Sequence, residues 1–176
     1  ELSTENTQRI FAYGSLMWRP EFEFVGARPA RLVGFHRRLS VFSHHYRGTP
    51  EFPGLVLGLD EGGFCEGLLY DIADEVWADV IDRVRKREML GDVYVEKALP
   101  VHVMGGSKAL SAITYVANRQ SKQFATEMPT EKLLAYIGQG QGTKGSCRQY
   151  VANTILHLRQ LGIHDASLEL LAPHVI

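Results

Sequence analysis

The chain has 176 residues, 45% of them hydrophobic and 22% charged, with a formal net charge of −1. That is the balance of a globular protein long enough to bury a sizeable core, and the absence of a basic block argues against nucleic acid or anionic membrane as partners. The two cysteines, Cys65 and Cys147, are too few for a disulfide scaffold and form no CxxC pair. They read as reduced thiols of a cytoplasmic protein, and no apolar run approaches the length of a membrane span.

Residues 1–8 read as a frayed tail, polar and without the apolar stretch of a signal peptide; with no initiator Met, the chain reads as a trimmed form. The remainder, 9–176, shows no repeat, low-complexity tract or linker and reads as a single domain. Residues 9–13 predict a short strand ending in Gly14-Ser15, and 30–42 predict one or two strands. The apolar runs 54–59 and 64–72, joined by Asp60-Glu61-Gly62-Gly63, predict a hairpin. Over 74–90, Val76, Trp77, Val80, Ile81 and Val84 fall on one helical face, with Gly91 as a C-terminal cap. Strands follow over 93–103 and 109–117, around a turn at Gly105-Gly106. Residues 130–137 predict a short helix capped by Thr130, then a glycine-rich loop over 138–145. A helix over 147–161 turns Val151, Ile155, Leu158 and Leu161 inward and stops at Gly162; 165–171 predict a last short helix. This order is α+β rather than doubly wound, and its short strands suggest a small barrel or curved sheet.

Gly140-Gln141-Gly142-Thr143-Lys144-Gly145 matches GxGxxG, but it follows a predicted helix rather than a strand, and too little chain remains for a βαβ unit. It reads as a loop that caps a helix or closes over a site, with enough glycine to permit lid motion. The seven histidines show no metal spacing, and His44 and His45 would face opposite sides of a strand. HExxH, CxxC and GxSxG are absent, so neither a metal nor Ser-His hydrolysis is expected.

Two segments can carry chemistry. Phe11-Ala12-Tyr13-Gly14-Ser15-Leu16 ends a strand in Gly-Ser, a turn whose backbone N–H groups can cradle an anion or a developing oxyanion. Alone, those six residues read as an ordinary tight turn. Glu88 lies in the last turn of the predicted helix 74–90, where the negative end of the dipole raises a carboxyl's pKa, as acid–base work near neutral pH requires. Arg85, Lys86 and Arg87 oppose this if they fold back. Alone, Glu88 reads as a solvated helix-end glutamate, with Glu66, Asp92 and Glu96 as weaker rivals.

Together the segments resemble the ChaC-type γ-glutamylcyclotransferases. Phe11-Ala12-Tyr13-Gly14-Ser15-Leu16-Met17-Trp18 is similar to that family's YGSL-x-W signature. His45-Tyr46-Arg47-Gly48-Thr49-Pro50-Glu51-Phe52-Pro53-Gly54-Leu55-Val56 resembles its RGTP-x-x-PG block, and Cys65-Glu66-Gly67 its C-x-G strand. Arg87-Glu88-Met89, followed by Gly91, Val93 and Tyr94, resembles its R-E-M or R-E-K block. Gly145-Ser146-Cys147-Arg148-Gln149-Tyr150-Val151-Ala152-Asn153-Thr154 is similar to its closing motif. The matches run in order over about 9–171.

The resemblance implies a small mixed β-barrel-like sheet flanked by helices and a lyase that releases 5-oxoproline from glutathione without a cofactor. By resemblance, Tyr13, Gly14, Ser15 and Leu16 would hold the γ-glutamyl group and Glu88 would be the acid–base residue. Arg47, Tyr94 and Arg148 would be further substrate-binding residues. Taken by themselves they read as a surface ion pair, a packed strand aromatic and a helix-surface charge. Arg87 to Tyr94 is nearer to bacterial members than to the glutathione-restricted animal ones, so other γ-glutamyl-amino acids or γ-glutamylamines are the alternative substrates. A non-catalytic γ-glutamyl-binding module is the distant alternative; loss of Glu88 would mark it, and Glu88 is present.

Overall fold

A computed structural model describes residues 7–176. Of the expected tail, 1–6 lie outside the described residues, while Thr7 and Gln8 already belong to a strand. The elements are β1 (Thr7–Ala12), a 3-10 turn (Ser15–Met17), β2 (Gly26–Ser43), β3 (Gly54–Ala73), α1 (Asp74–Glu88), β4 (Tyr94–Val103) and β5 (Ala109–Ala117). Then come α2 (Thr130–Gln139), β6 (Gln141–Gly142), β7 (Gly145–Ser146), α3 (Cys147–Gln160), α4 (Ala166–Glu169) and α5 (Ala172–Val175). The fold is α+β, as expected: β1-β3-β2-β4-β5 close into a barrel, and β3 also pairs with β5.

The chain divides into two compact units, one from the chain up to His36 with Glu61–Val116, the other from Arg37–Asp60 with Ala117–Ile176. In the first unit β1 runs antiparallel to β3, from Thr7 opposite Ala73 to Ala12 opposite Leu68, and parallel to β5 at Ile10 and Ile113. With strands on both sides, β1 buries both of its faces: Ile10, Phe11 and Ala12 are at most 1% exposed. Helix α1 packs on β1 through a stripe of Val80, Ile81 and Val84. Val76 and Trp77, expected on that stripe, are half-buried. Asp74 and Glu75 open α1 and Arg85, Lys86 and Arg87 close it, the arrangement that complements the helix dipole. The helix ends at Met89 rather than at the expected Gly91 cap, which follows two residues later at φ 77°.

The expected hairpin does not form, because 54–73 is one strand. Two runs can pair with each other only if neither has a better partner, and 68–73 are taken by β1. Gly62 and Gly63 do adopt left-handed φ of 99° and 64°, but they bend the strand instead of reversing it, with His36 Nδ1 3.1 Å from the Gly62 carbonyl.

In the second unit α3 packs against α2, α4 and α5. Val151, Ile155 and Leu158 are buried as expected, whereas Leu161 is 38% exposed because it stands at the cap beyond the stripe. Pro129, not Thr130, caps α2, and Thr130 is its first residue. The 138–145 loop lies against backbone: Thr143 and Lys144 donate to the His45 and Tyr46 carbonyls at 2.9 Å each, and a Cβ on Gly140 or Gly142 would collide with the backbone of Arg47 or Tyr46. Its glycines therefore serve close approach. Cys65 and Cys147 are buried and form no disulfide. Among the described residues no helix is long and apolar enough to cross a membrane.

Candidate active site

Immediately after β1 the chain folds into the 3-10 turn, and contacts within the first unit fix it from below. The Tyr13 hydroxyl donates to the Tyr115 carbonyl of β5 at 2.7 Å. The Tyr70 hydroxyl of β3 lies 2.9 and 3.0 Å from the Leu16 and Met17 carbonyls. Met17 N–H closes the turn onto the Gly14 carbonyl at 2.9 Å. Gly67 of β3 permits the approach: a Cβ there would collide with the Ala12 carbonyl oxygen and reach within 3.0 Å of the Phe11 ring. That is the physical content of the Cys-x-Gly signal. Tyr70 is packed against Phe22, edge to face at 5.3 Å, and burial pushes its phenol up to about 12, so it stays a neutral donor. Gly14 is the cap of the turn, which leaves the N–H groups of Ser15 and Leu16 without an acceptor inside it.

Glu88 is the last residue of α1, and its side chain is 17% exposed. Burial raises its carboxyl above the ordinary range, and the charge of Arg87 opposes that rise. The three cations that close the helix divide their partners. Arg85 forks onto Glu96 of β4 with both bonds at 2.8 Å, and Lys86 pairs with Asp82 at 2.7 Å. Arg87 Nε lies 3.6 Å from Glu88 Oε1, and its Nη2 donates to Ser15 Oγ at 2.8 Å. Among the described residues the Glu88 carboxyl accepts no hydrogen bond, so its lone pairs are uncommitted.

The rival carboxylates are in a different state. Glu96 accepts from Arg85 and, at 3.0 Å, from the Tyr115 hydroxyl; the arginine bonds hold it below the usual carboxylate range. A fixed, ionised carboxylate of this kind is a structural anion. Glu66 is paired with Arg31 at 2.5 Å, and Asp92 is exposed. Tyr115 is lifted above its ordinary value, first by burial, then by its bond to Glu96 and by the charges of Glu96 and Glu88.

The structure thus brings Tyr13, Gly14, Ser15, Leu16 and Glu88 together in the first unit, through Arg87. Tyr94 opens β4 there, half-buried. Arg47 and Arg148 belong to the second unit. Arg47 lies over the Tyr150 ring at 5.4 Å and donates to the Ser146 carbonyl at 3.3 Å; exposed Arg148 approaches the Val175 carbonyl at 3.4 Å. Sequence reasoning missed Arg87, Tyr70 and Tyr115 as parts of this arrangement. For Arg87 the signal was its place beside Glu88; the two tyrosines sit in apolar strand runs that look like any packed aromatic. No group of three or more side chains suited to a metal occurs among the described residues.

A strand-end turn with open N–H donors beside a partly desolvated glutamate defines a class of site suited to acyl chemistry with one acid–base group. The chain belongs to the ChaC-like protein family, whose model matches residues 8–176. It is 30% identical to the glutathione-specific gamma-glutamylcyclotransferase of Escherichia coli, over 90% of this chain and 68% of that one. To the protein of the same name from Schizosaccharomyces pombe it is 28% identical, over 96% of this chain and 93% of that one. The crystal structure of a yeast γ-glutamyl cyclotransferase specific to glutathione superposes with a TM-score of 0.87 at 22% identity, covering 97% of this chain and 96% of that one.

Proposed function

We propose that the protein is a γ-glutamylcyclotransferase that converts glutathione to 5-oxoproline and Cys-Gly. The observation that carries the reading is Glu88, a helix-end carboxyl lifted by burial and free of hydrogen bonds among the described residues, coupled through Arg87 to the Tyr13–Leu16 turn.

The substrate brings its own nucleophile, because its glutamyl group carries an α-amine and a γ-amide on one chain. Attack of that amine on the γ-carbonyl closes a five-membered ring, and collapse of the adduct breaks the amide C–N bond. The protein has three tasks. The turn folds the glutamyl chain so that amine and carbonyl meet. Glu88 takes one proton from the ammonium before attack and a second from the ring nitrogen after it, and both pass to the departing nitrogen, which leaves as an ammonium, so no net proton is consumed. The Ser15 and Leu16 N–H groups offer hydrogen bonds to the oxyanion. No step requires a cofactor. Tyr94 is proposed as a further substrate contact. Two buried thiols and a thiol substrate suit a reducing compartment, and on that ground we place the protein in the cytoplasm.

The test is incubation with glutathione, without metal or nucleotide, and mass spectrometry for 5-oxoproline and Cys-Gly, with Glu88→Gln alongside. Glu88→Gln keeps the side-chain volume and should lower the rate by about 100-fold or more. Near-normal turnover in that variant refutes the assignment. Products from γ-glutamyl-alanine or γ-glutamyl-lysine in place of glutathione would shift the substrate, not the reaction.

A further inference from the structure

The mechanism above gives Arg87 no chemical step, yet Arg87 touches both halves of the site. Its Nη1 donates to the Arg19 carbonyl at 2.6 Å and lies 3.2 Å from Glu21 Oε2, its Nη2 donates to Ser15 Oγ at 2.8 Å, and its Nε lies 3.6 Å from Glu88 Oε1. A solvated arginine on a helix end samples many rotamers; this one has partners on every edge of its fork and is 22% exposed. Arg85 and Lys86, flanking it in sequence, are engaged with Glu96 and Asp82 and cannot substitute for it.

Resting on the reading of Glu88 and the Tyr13–Leu16 turn given above, we propose that Arg87 is a positioning residue whose guanidinium clamps residues 15–19 to the C-terminal end of α1, so that one side chain sets both the substrate-holding turn and the surroundings of the acid–base group. The clamp has two separable parts. The planar fork reaches several oxygens at once, which a lysine ammonium cannot do. The positive charge acts on Glu88 and survives replacement by lysine. Glu88 in turn acts on Tyr115 of β5, whose hydroxyl is bound to Glu96 of β4, itself held by Arg85 of α1. That chain is left intact by substitution at 87. Tyr13 and Ser15 face the site from the turn and bring no charge.

The experiment measures kcat and KM for glutathione from pH 5.5 to 9 in Arg87→Gln, Arg87→Lys, Glu88→Gln and the unaltered protein, with thermal melting to establish folding. Arg87→Gln should raise KM about tenfold, the worth of one charge-assisted hydrogen bond. It should also move the acid limb of kcat/KM up by about one pH unit, because an opposite charge at this range lowers a carboxyl by at least that much. Arg87→Lys should raise KM similarly and leave the acid limb near its original position. Folded Arg87 variants with unchanged KM and acid limb, or a Lys variant whose limb moves as far as that of Gln, overturn the clamp. If the unaltered protein forms no 5-oxoproline, or Glu88→Gln retains full turnover, the underlying reading fails and the clamp with it. An active protein, an inactive Glu88→Gln and unaffected Arg87 variants defeat the clamp alone.

Discussion

Glu88→Gln should do more than stop the reaction; it should make the protein more stable, by an amount that depends on pH. Glu88 loses hydration on folding and gains no hydrogen bond among the described residues, while Arg87 compensates from 3.6 Å. Burial outweighs Arg87, so the folded carboxyl titrates above its ordinary value of 4.5. A group with a raised folded pKa binds its proton more tightly in the folded state. Stability is therefore fully present below about 4.5 and declines as pH rises toward the folded value. Each unit of separation between the two values costs about 1.4 kcal/mol at higher pH, or about 3–6 °C in melting temperature for a chain of this size. A glutamine does not titrate. The stability difference between variant and parent should thus grow with pH above about 4.5 and level off once the folded carboxyl is ionised. Other groups titrate in both proteins and cancel. Urea unfolding of both proteins at half-unit steps from pH 4 to 8 gives the difference curve directly. A flat curve means that Glu88 is an ordinary carboxylate. A curve that falls with pH means that Arg87 outweighs burial and the carboxylate is the favoured form, which would refute the acid–base reasoning.

Two further outcomes follow from the packing. Gly67→Ala drives a Cβ into the Ala12 carbonyl and the Phe11 ring, so stability should fall by about 1–3 kcal/mol in urea unfolding, with a raised KM because the displaced backbone leads straight into the turn. Cys65 and Cys147 are 2% and 0% exposed, and burial pushes the Cys147 thiol up to about 11 against the opposing Leu55 bond and Arg47 charge. Neither should react with Ellman's reagent in the native protein at pH 8, and both should react in concentrated urea.

Local sequence carried the fold wherever one local signal acted alone. Strand β5 formed over the expected residues because its boundaries are set by glycine turns on one side and polar chain on the other. The same logic failed at Asp60–Gly63, where the glycines do take the backbone angles of a turn. Whether such a turn reverses the chain depends on which strand partners 64–72, and that partner, β1, lies more than fifty residues earlier in sequence. Thr130 and Gly91 were misplaced as caps for a smaller reason: a cap is defined by one residue's backbone angles, and neighbouring positions such as Pro129 and Met89 can take that role.

The site shows a comparable division. Glu88 was legible as a helix-end carboxyl with Glu96 as a weaker rival, and what separates the two in the structure is side-chain partners that no spacing reveals. Arg85 and Arg87 are two residues apart and so project in different directions around the helix; one neutralises Glu96 and the other reaches Ser15. Without Arg85, Glu96 would keep the Tyr115 hydroxyl as its remaining donor, whereas Glu88 has burial and the more distant Arg87 charge acting on it. The chemical distinction between the two glutamates is therefore written in their surroundings. A substitution that frees Glu96, such as Arg85→Gln, should disturb β4 and Tyr115 without creating a second base, because no turn with open N–H donors is tied to it.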